Sequence, residues 1–179
     1  MRRRSVLLAV AVLAAGLLVV SLAGAAGGQK VLKAGKLTGL QENPDISTVA
    51  TGSFRAVLDD DAEEITYVLS YSGLEGTVIQ AHVHFGKRAV NGGVSFFLCG
   101  TAASPGPAGT PTCPQDGTVS RTITAADILG PTAQGIEAMN YAEIAAAMRS
   151  GNTYANVHSS LWPGGEIRGQ IGKRGSGRS

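Results

Sequence analysis

The sequence predicts an all-β domain, an antiparallel Greek-key-like sandwich or barrel with a short helical insertion. Glycine supplies 25 of 179 residues and charged residues only 16%, which suits strands joined by tight turns better than a helical bundle. Apolar and polar residues alternate along several short segments that are separated by turn signals. Hydrophobic residues make up 44% of the chain, which is enough for one packed core.

The first 25 residues have the layout of a secretory signal peptide. Arg2–Arg4 supply positive charge, an apolar run extends from Ser5 to Leu22, and Ala23-Gly24-Ala25 places small residues at a peptidase site. An uncleaved anchor is the alternative, because a run of about 18 residues is at the lower limit for crossing a bilayer. We therefore expect a secreted or cell-envelope protein that meets a membrane only through an uncleaved signal segment.

The charge pattern argues against nucleic acid as a partner. The net charge of +2 includes Arg2–Arg4, and without them twelve basic residues face thirteen acidic ones. Further cations lie in the tail, residues 172–179, whose Gly, Ser and basic composition predicts disorder. The predicted domain, residues 33–171, therefore has no basic stripe that could follow a phosphate backbone.

The predicted elements follow one another along residues 49–171. Strands are predicted over Val49–Leu58, Ile65–Tyr71, Thr77–Phe85, Val94–Leu98, Gly117–Ile123, Thr153–Ser159 and Glu166–Ile171. The first two flank an acidic run, residues 59–64, which is interpreted as a solvated hairpin turn because it lacks the ligand spacing of a calcium loop. Capping patterns at Thr124 and Asn140 predict a helical turn and then a helix over Tyr141–Arg149.

The two cysteines, Cys99 and Cys113, flank a loop of Gly, Pro, Ala, Ser and Thr that cannot pack on its own. A disulfide between them suits an oxidising compartment and is worth about 3 kcal/mol in the chain-entropy picture. Their spacing is too long for a Cys-x-x-Cys metal or redox site. The sequence therefore predicts that Cys99 and Cys113 are bonded to each other.

Three histidines are the strongest candidates for a functional site. His82 and His84 are two residues apart in a predicted strand, so both imidazoles leave the same face of the sheet. His158 shares a face of its own strand with Tyr154 and Asn156, while the residues between them are core positions. We therefore expect all three histidines on the polar outer face of their strands.

Glu166 and Arg168 alternate with apolar residues along the last predicted strand. They can pair with each other or across to a neighbour, and Arg168 can hold a carboxylate or phosphate group. Two interpretations stay open. In the first, the histidines and Tyr154, Asn156, Glu166 and Arg168 form a hydrogen-bonded network that locks strands together. In the second, the three histidines hold a single copper or zinc ion.

Four segments resemble the chordin-type CHRD domain, over about residues 33–171. They are Leu37–Glu42, Ala81–Gly86, Tyr154–Ser159 and Pro163–Ile171. The resemblance implies an extracytoplasmic all-β domain of the kind found in animal chordins and in bacterial proteins of unassigned function. The binding of signalling proteins linked to chordins does not carry over to a single-domain chain. Because two of the segments hold the histidines, we expect their strands to be neighbours and the three side chains to cluster.

A second, local resemblance is to copper/zinc superoxide dismutase, whose first copper-ligand strand also reads His-Val-His and continues to Phe-Gly. It implies His82 and His84 as ligands, with His158 as a third. The dismutase also needs a bridging histidine and further zinc ligands, which a chain with three histidines cannot supply. The first prediction is therefore a non-enzymatic binding or structural module for an extracellular protein, a glycan or a metal. The alternative is a mononuclear copper or zinc protein with redox or superoxide-handling activity.

Overall fold

The computed structural model describes residues 29–172, which contain eight strands and one α-helix. The elements are β1 (Lys30–Thr38), β2 (Thr51–Asp59), β3 (Glu64–Ser72), β4 (Val78–Phe85), β5 (Gly93–Gly100), β6 (Gly117–Ile123), α1 (Tyr141–Arg149), β7 (Thr153–Ser159) and β8 (Ile167–Ile171). The predicted signal segment, residues 1–25, and the predicted tail beyond residue 172 lie outside the described residues. Between residues 29 and 172, no helix is long and apolar enough to cross a membrane.

The strands form one sheet in the order β5-β4-β7-β8-β1-β2-β3-β6, and neighbouring strands are antiparallel throughout. The two edge strands, β5 and β6, lie against each other, so the sheet is a nearly closed barrel. The Tyr67 hydroxyl on β3 donates to the Leu98 carbonyl on β5 and links distant parts of the sheet. The predicted all-β antiparallel fold is confirmed, in its barrel form.

The core of the barrel follows from period-two alternation. On β2 and β3 the apolar residues face one another in register, with Phe54 opposite Leu69 and Leu58 opposite Ile65. These side chains are almost completely buried. Each buried aliphatic or aromatic side chain contributes about 1.5–3 kcal/mol relative to an exposed one, so the alternation that forms the strands also builds the core.

The predicted bounds of β6, α1 and β7 agree with the structure to the residue, whereas β1 is absent from the predicted elements. Its inward positions are Leu32, Ala34 and Leu37, and they are buried. The spacing changes from two to three residues because the register with β2 shifts between Ala34 and Leu37. This irregularity interrupts the alternation by which a strand is recognised in a sequence.

The helix α1 is attached to the acidic turn between β2 and β3. Its N-cap, Asn140, accepts a hydrogen bond from the Glu143 backbone at 3.1 Å, as the capping pattern predicts. At the helix termini, the Tyr141 hydroxyl donates to the Asp60 carboxylate at 2.8 Å, and Arg149 pairs with the same carboxylate. The acidic run is thus more than a solvated turn, since Asp60 anchors the helix.

The sulfur atoms of Cys99 and Cys113 lie within bonding distance, with the two Cα atoms 5.0 Å apart. The bond ties the end of β5 to the loop that follows it. The Cys113 backbone also donates to the Gly100 carbonyl at 2.8 Å. A disulfide here is compatible with an extracytoplasmic location.

Candidate metal centre

The predicted strand pairing around the histidines is present. β4 pairs with β7, and β7 pairs in turn with β8. In this register His82 lies opposite Asn156, and Gln80 lies opposite His158. His82 and His158 are therefore diagonal neighbours on one face of the sheet, within reach of each other's side chains.

The three histidine side chains form one cluster. His82 Nδ1 lies 3.1 Å from His158 Nε2. One nitrogen from each of His82, His84 and His158 lies within 4.8 Å of the others. The expected clustering is therefore confirmed, while metal ligation stays a prediction.

The face that carries the histidines is buried, although it lies opposite the barrel core. The exposed fractions of His82, His84 and His158 are 3%, 8% and 5%. Three segments cover this face, residues 39–48, 86–92 and 160–165, and we call them the roof. Alternation correctly places the histidines on the polar outer face, and the roof, which no pattern in the sequence predicts, excludes solvent from it.

Two histidines fasten the roof through their Nδ1 atoms. His84 Nδ1 lies 2.9 Å from the Gly92 carbonyl, and His158 Nδ1 lies 2.8 Å from the Pro163 carbonyl. A carbonyl oxygen only accepts, so each Nδ1 carries the proton and each Nε2 keeps its lone pair when the ring is neutral. The Nε2 atom of His84 has no hydrogen-bond partner among the residues described. The lone pair of His84 Nε2 is therefore free, whereas that of His158 Nε2 accepts the proton that His82 Nδ1 carries.

Burial keeps these imidazoles neutral. Desolvation disfavours the charged imidazolium and lowers the pKa of His84 to about 4. The hydrogen bond to the Gly92 carbonyl opposes this shift but is the smaller effect. Desolvation lowers the pKa of His82 further, and charge repulsion from His158 adds to that shift. Desolvation also lowers the pKa of His158. At neutral pH the three imidazoles are therefore uncharged, and a cation at this cluster would have to displace the hydrogen bond between His82 and His158.

Arg168 holds one segment of the roof. Its guanidinium donates to the Lys87 carbonyl at 2.8 Å and to the Val90 carbonyl at 2.9 Å. The same group lies 3.3 Å from the centre of the Tyr154 ring, which stacks on His84 with ring centres 4.8 Å apart. Arg168 therefore fixes the loop at residues 87–90 and packs on the Tyr154 ring. Within residues 29–172 it forms no ion pair with a carboxylate.

Glu166 holds a different segment and does not pair with Arg168. Its Oε1 accepts from the Thr48 hydroxyl and from the Glu75 backbone, both at 2.8 Å. The hydrogen bonds of Glu166 and Arg168 thus differ from the strand-locking network of the first interpretation, which stays a prediction. These hydrogen bonds run mainly from the sheet to the covering loops.

The residues that the sequence predicts for the site do not include Glu42. Its side chain is 6% exposed and lies beside the Asn156 amide. Burial raises the pKa of Glu42 to about 7, against the opposing charge of Arg168. Glu42 ends one of the four segments that carry the CHRD resemblance, but it lies beyond β1, where strand alternation gives no information.

A surface depression in the roof reaches Glu42. Its lining includes Glu42, Asn91, Leu161, Pro163 and Gly165. Another depression, over β2, β3 and β6, contains none of the predicted site residues. The roof depression therefore reaches Glu42 and Pro163, and no histidine is among its lining residues.

The family model of the CHRD domain matches residues 34–171. The chain belongs to the CHRD domain family. No curated protein and no solved structure matches the chain. In this CHRD domain, the four segments that carry the resemblance meet around the histidines and contribute Glu42, His82, His84, His158 and Arg168.

Proposed function

We propose that this CHRD domain is a non-enzymatic module that binds one copper or zinc ion through His82, His84 and His158. The observation that carries the proposal is the convergence of three buried, neutral imidazoles on one point of the sheet. Imidazole nitrogen is a ligand that both metals accept, and three such ligands leave one position open.

The distances within the cluster support a single ion. Nitrogens bound to one zinc ion at about 2.0–2.1 Å are about 3.3 Å apart in tetrahedral geometry. His82 Nδ1 and His158 Nε2, which share a hydrogen bond when no ion is bound, are 3.1 Å apart, and the whole group spans at most 4.8 Å. Closing the set around an ion therefore needs movements of about 1–2 Å, mainly of side chains.

The outer hydrogen bonds support the same function. A histidine that binds a metal usually donates its second ring nitrogen to a carbonyl or carboxylate, which fixes the ring and its tautomer. His84 and His158 already make such bonds, to Gly92 and Pro163. The Phe97 ring packs edge-on against His82, with ring centres 4.3 Å apart, and restricts the third imidazole.

We further propose a secreted or cell-envelope location, with residues 33–171 as the folded domain. The charged and apolar pattern of the first 25 residues and the Cys99–Cys113 bond support it. An extracellular protein or a glycan is a further class of partner for such a module.

Metal binding is tested by titrating the metal-free full chain with Cu²⁺ and with Zn²⁺ against a competing chromophoric chelator. We expect one ion per chain, and loss of binding in His82→Ala, His84→Ala and His158→Ala. Ser70→Ala, on the outer face of β3 away from the roof, is the matched control and retains the ion.

A folded wild-type chain that binds neither metal with a Kd below about 1 μM contradicts the proposal, as does a His158→Ala variant with unchanged affinity. If the histidines only serve the network, His82→Ala lowers the free energy of unfolding by about 1–3 kcal/mol and does nothing else. Faster removal of superoxide by the copper-loaded chain than by its histidine variants would favour the redox alternative.

A further inference from the structure

We infer that Glu42 belongs to the same site and accepts a hydrogen bond from a water molecule bound at the open position of the metal. The inference rests on the proposed metal site. If Glu42 has this role, the site prefers small neutral ligands that bind through oxygen and carry an O–H, such as water, over anions.

Glu42 is a buried carboxyl group with an unused acceptor. Only 6% of the residue is exposed, and its Oε1 atom has no hydrogen-bond partner in the described part of the chain. An unsatisfied buried polar atom is unfavourable and calls for an explanation such as a missing ligand. A donor supplied by a bound ligand provides that explanation.

Asn156 connects Glu42 with the histidines. It lies opposite His82 in the β4–β7 register, and a Cβ atom on Gly165 would contact both Asn156 Nδ2 and Glu42 Oε1. Its Oδ1 atom also has no hydrogen-bond partner among the described residues. Glu42 is therefore separated from the histidine cluster by one small side chain, with unused polar atoms on both residues.

Gly165 makes this approach of Glu42 sterically feasible. Its φ is +130°, and a Cβ atom there would lie 2.5 Å from Glu42 Oε1 and 2.8 Å from Asn156 Nδ2. Any larger residue would therefore displace the carboxyl group from the position it has. The roof keeps space at Gly165 for the Glu42 and Asn156 side chains.

Charge supports the same assignment. Three neutral imidazoles leave a buried divalent ion without compensation, which is costly in a low-dielectric site. Glu42 has a pKa raised to about 7 by burial, so it is mainly ionised at pH 8, and a nearby cation favours the ionised form further. A carboxylate attracts the O–H of bound water and repels an anion that replaces the water.

Glu42 and Gly165 both line the depression in the roof, so solvent and small ligands come up to the Glu42 side of the proposed position. In the exchange, a water molecule leaves the metal and an anion takes its place, with no change in oxidation state. The anion brings negative charge beside Glu42 and carries no proton to donate. Azide is a suitable probe because its copper(II) complexes have a charge-transfer absorption band.

The experiment titrates the Cu²⁺-loaded full chain with azide at pH 8 and follows that band. We expect Glu42→Gln to bind azide about tenfold more tightly than the wild type, because the substitution removes the repelling charge and adds an amide donor. Asp45→Asn makes the same change of charge at an exposed residue close by in the sequence, and its azide affinity stays at the wild-type value.

Equal azide affinities in the wild type and in Glu42→Gln, with copper bound in both, overturn the inference about Glu42 and leave the metal site standing. A wild-type chain that binds no copper overturns the proposed function itself. If Glu42→Gln fails to fold, Glu42→Asp replaces it, since the shorter side chain withdraws the acceptor by one methylene. The inference then requires tighter azide binding than in the wild type, and equal affinity overturns it.

Discussion

The outer faces of the two halves of the barrel have similar sequence patterns and very different environments. On β3 and β6, exposed hydroxyl side chains form pairs across the strands, Thr66 with Thr122 at 3.0 Å and Ser70 with Thr118 at 2.7 Å. On β4, β7 and β8 most of the outward side chains are buried under the roof. Alternation decides which side of a sheet a residue occupies, whereas the covering loops decide whether that side becomes a site.

The difference in environment changes the energetics of each polar contact. On the open face, water can replace a lost partner, so each hydroxyl pair adds little to stability. On the roofed face a lost partner leaves a desolvated group, at a cost of about 1–3 kcal/mol. Under the proposed function, the roofed face also supplies the three imidazole ligands.

Acid is expected to have the largest effect on the roofed face of the metal-free chain. The pKa of His84 is about 4 in the folded state and 6.5 in an unstructured chain, so the unfolded state binds the proton at higher pH. This contribution is fully present above pH 6.5 and is lost as the pH falls through 4. His84 alone contributes about 3 kcal/mol, and His82, whose pKa is lowered further, adds to it.

Urea unfolding between pH 7.5 and pH 4 measures this effect, and His84→Gln is expected to reduce the change in stability by about 3 kcal/mol. The hydroxyl pairs of the open face do not titrate in this range, so Ser70→Ala keeps the full change. An identical pH dependence in wild type and His84→Gln would contradict the assignment of a neutral buried imidazole.

Arg168→Met is expected to lower the free energy of unfolding by about 3–5 kcal/mol. The substitution keeps much of the aliphatic volume but leaves the Lys87 and Val90 carbonyls without their donor. Arg55→Met, at an exposed position of β2, is the matched control and changes stability by less than about 0.5 kcal/mol. Chemical denaturation at pH 7 compares the two, and equal effects would show that the roof does not depend on Arg168.

Glu42→Gln is expected to stabilise the metal-free chain at pH 8, by about 2–3 kcal/mol. The pKa of Glu42 is raised from 4.5 to about 7, so its folded state binds the proton more tightly and stability falls as the pH rises from 4.5 to 7. The gain should therefore vanish near pH 4.5. Asp45→Asn serves as the control with no gain, and thermal unfolding at both pH values tests the sign.

Ser70→Ala is expected to have the smallest effect, below about 0.5 kcal/mol. Its hydroxyl forms a hydrogen bond with Thr118, but the pair is exposed, so a water molecule can replace the lost hydroxyl. Chemical denaturation in parallel with Arg168→Met tests whether the two faces differ as described. A loss above about 2 kcal/mol would remove the energetic contrast between them.

Local patterns in the sequence account for much of this fold. The bounds of α1 follow from the Asn140 cap and Arg149 near its end, and those of β6 and β7 from regular alternation. The histidine cluster follows from alternation together with one correct strand pairing. The register shift between Ala34 and Leu37 hides β1, because it interrupts the period on which recognition depends.

The roof depends on contacts that no local pattern contains. Glu166 accepts hydrogen bonds from Thr48 and Glu75, which lie 118 and 91 residues away in the sequence. Arg168 reaches Lys87 across 81 residues. Such partners are fixed only after the strands have paired, so neither the burial of the histidines nor the position of Glu42 can be predicted from spacing.

The separation of His82 and His158 has a consequence for how the chain folds. The two residues are 76 positions apart, so the cluster exists only after a long chain segment has closed and β4 has paired with β7. Before that pairing, His82 and His84 are close only to each other in sequence, and His158 is far from both. Under the proposed function, full metal affinity therefore requires β4 and β7 to be paired.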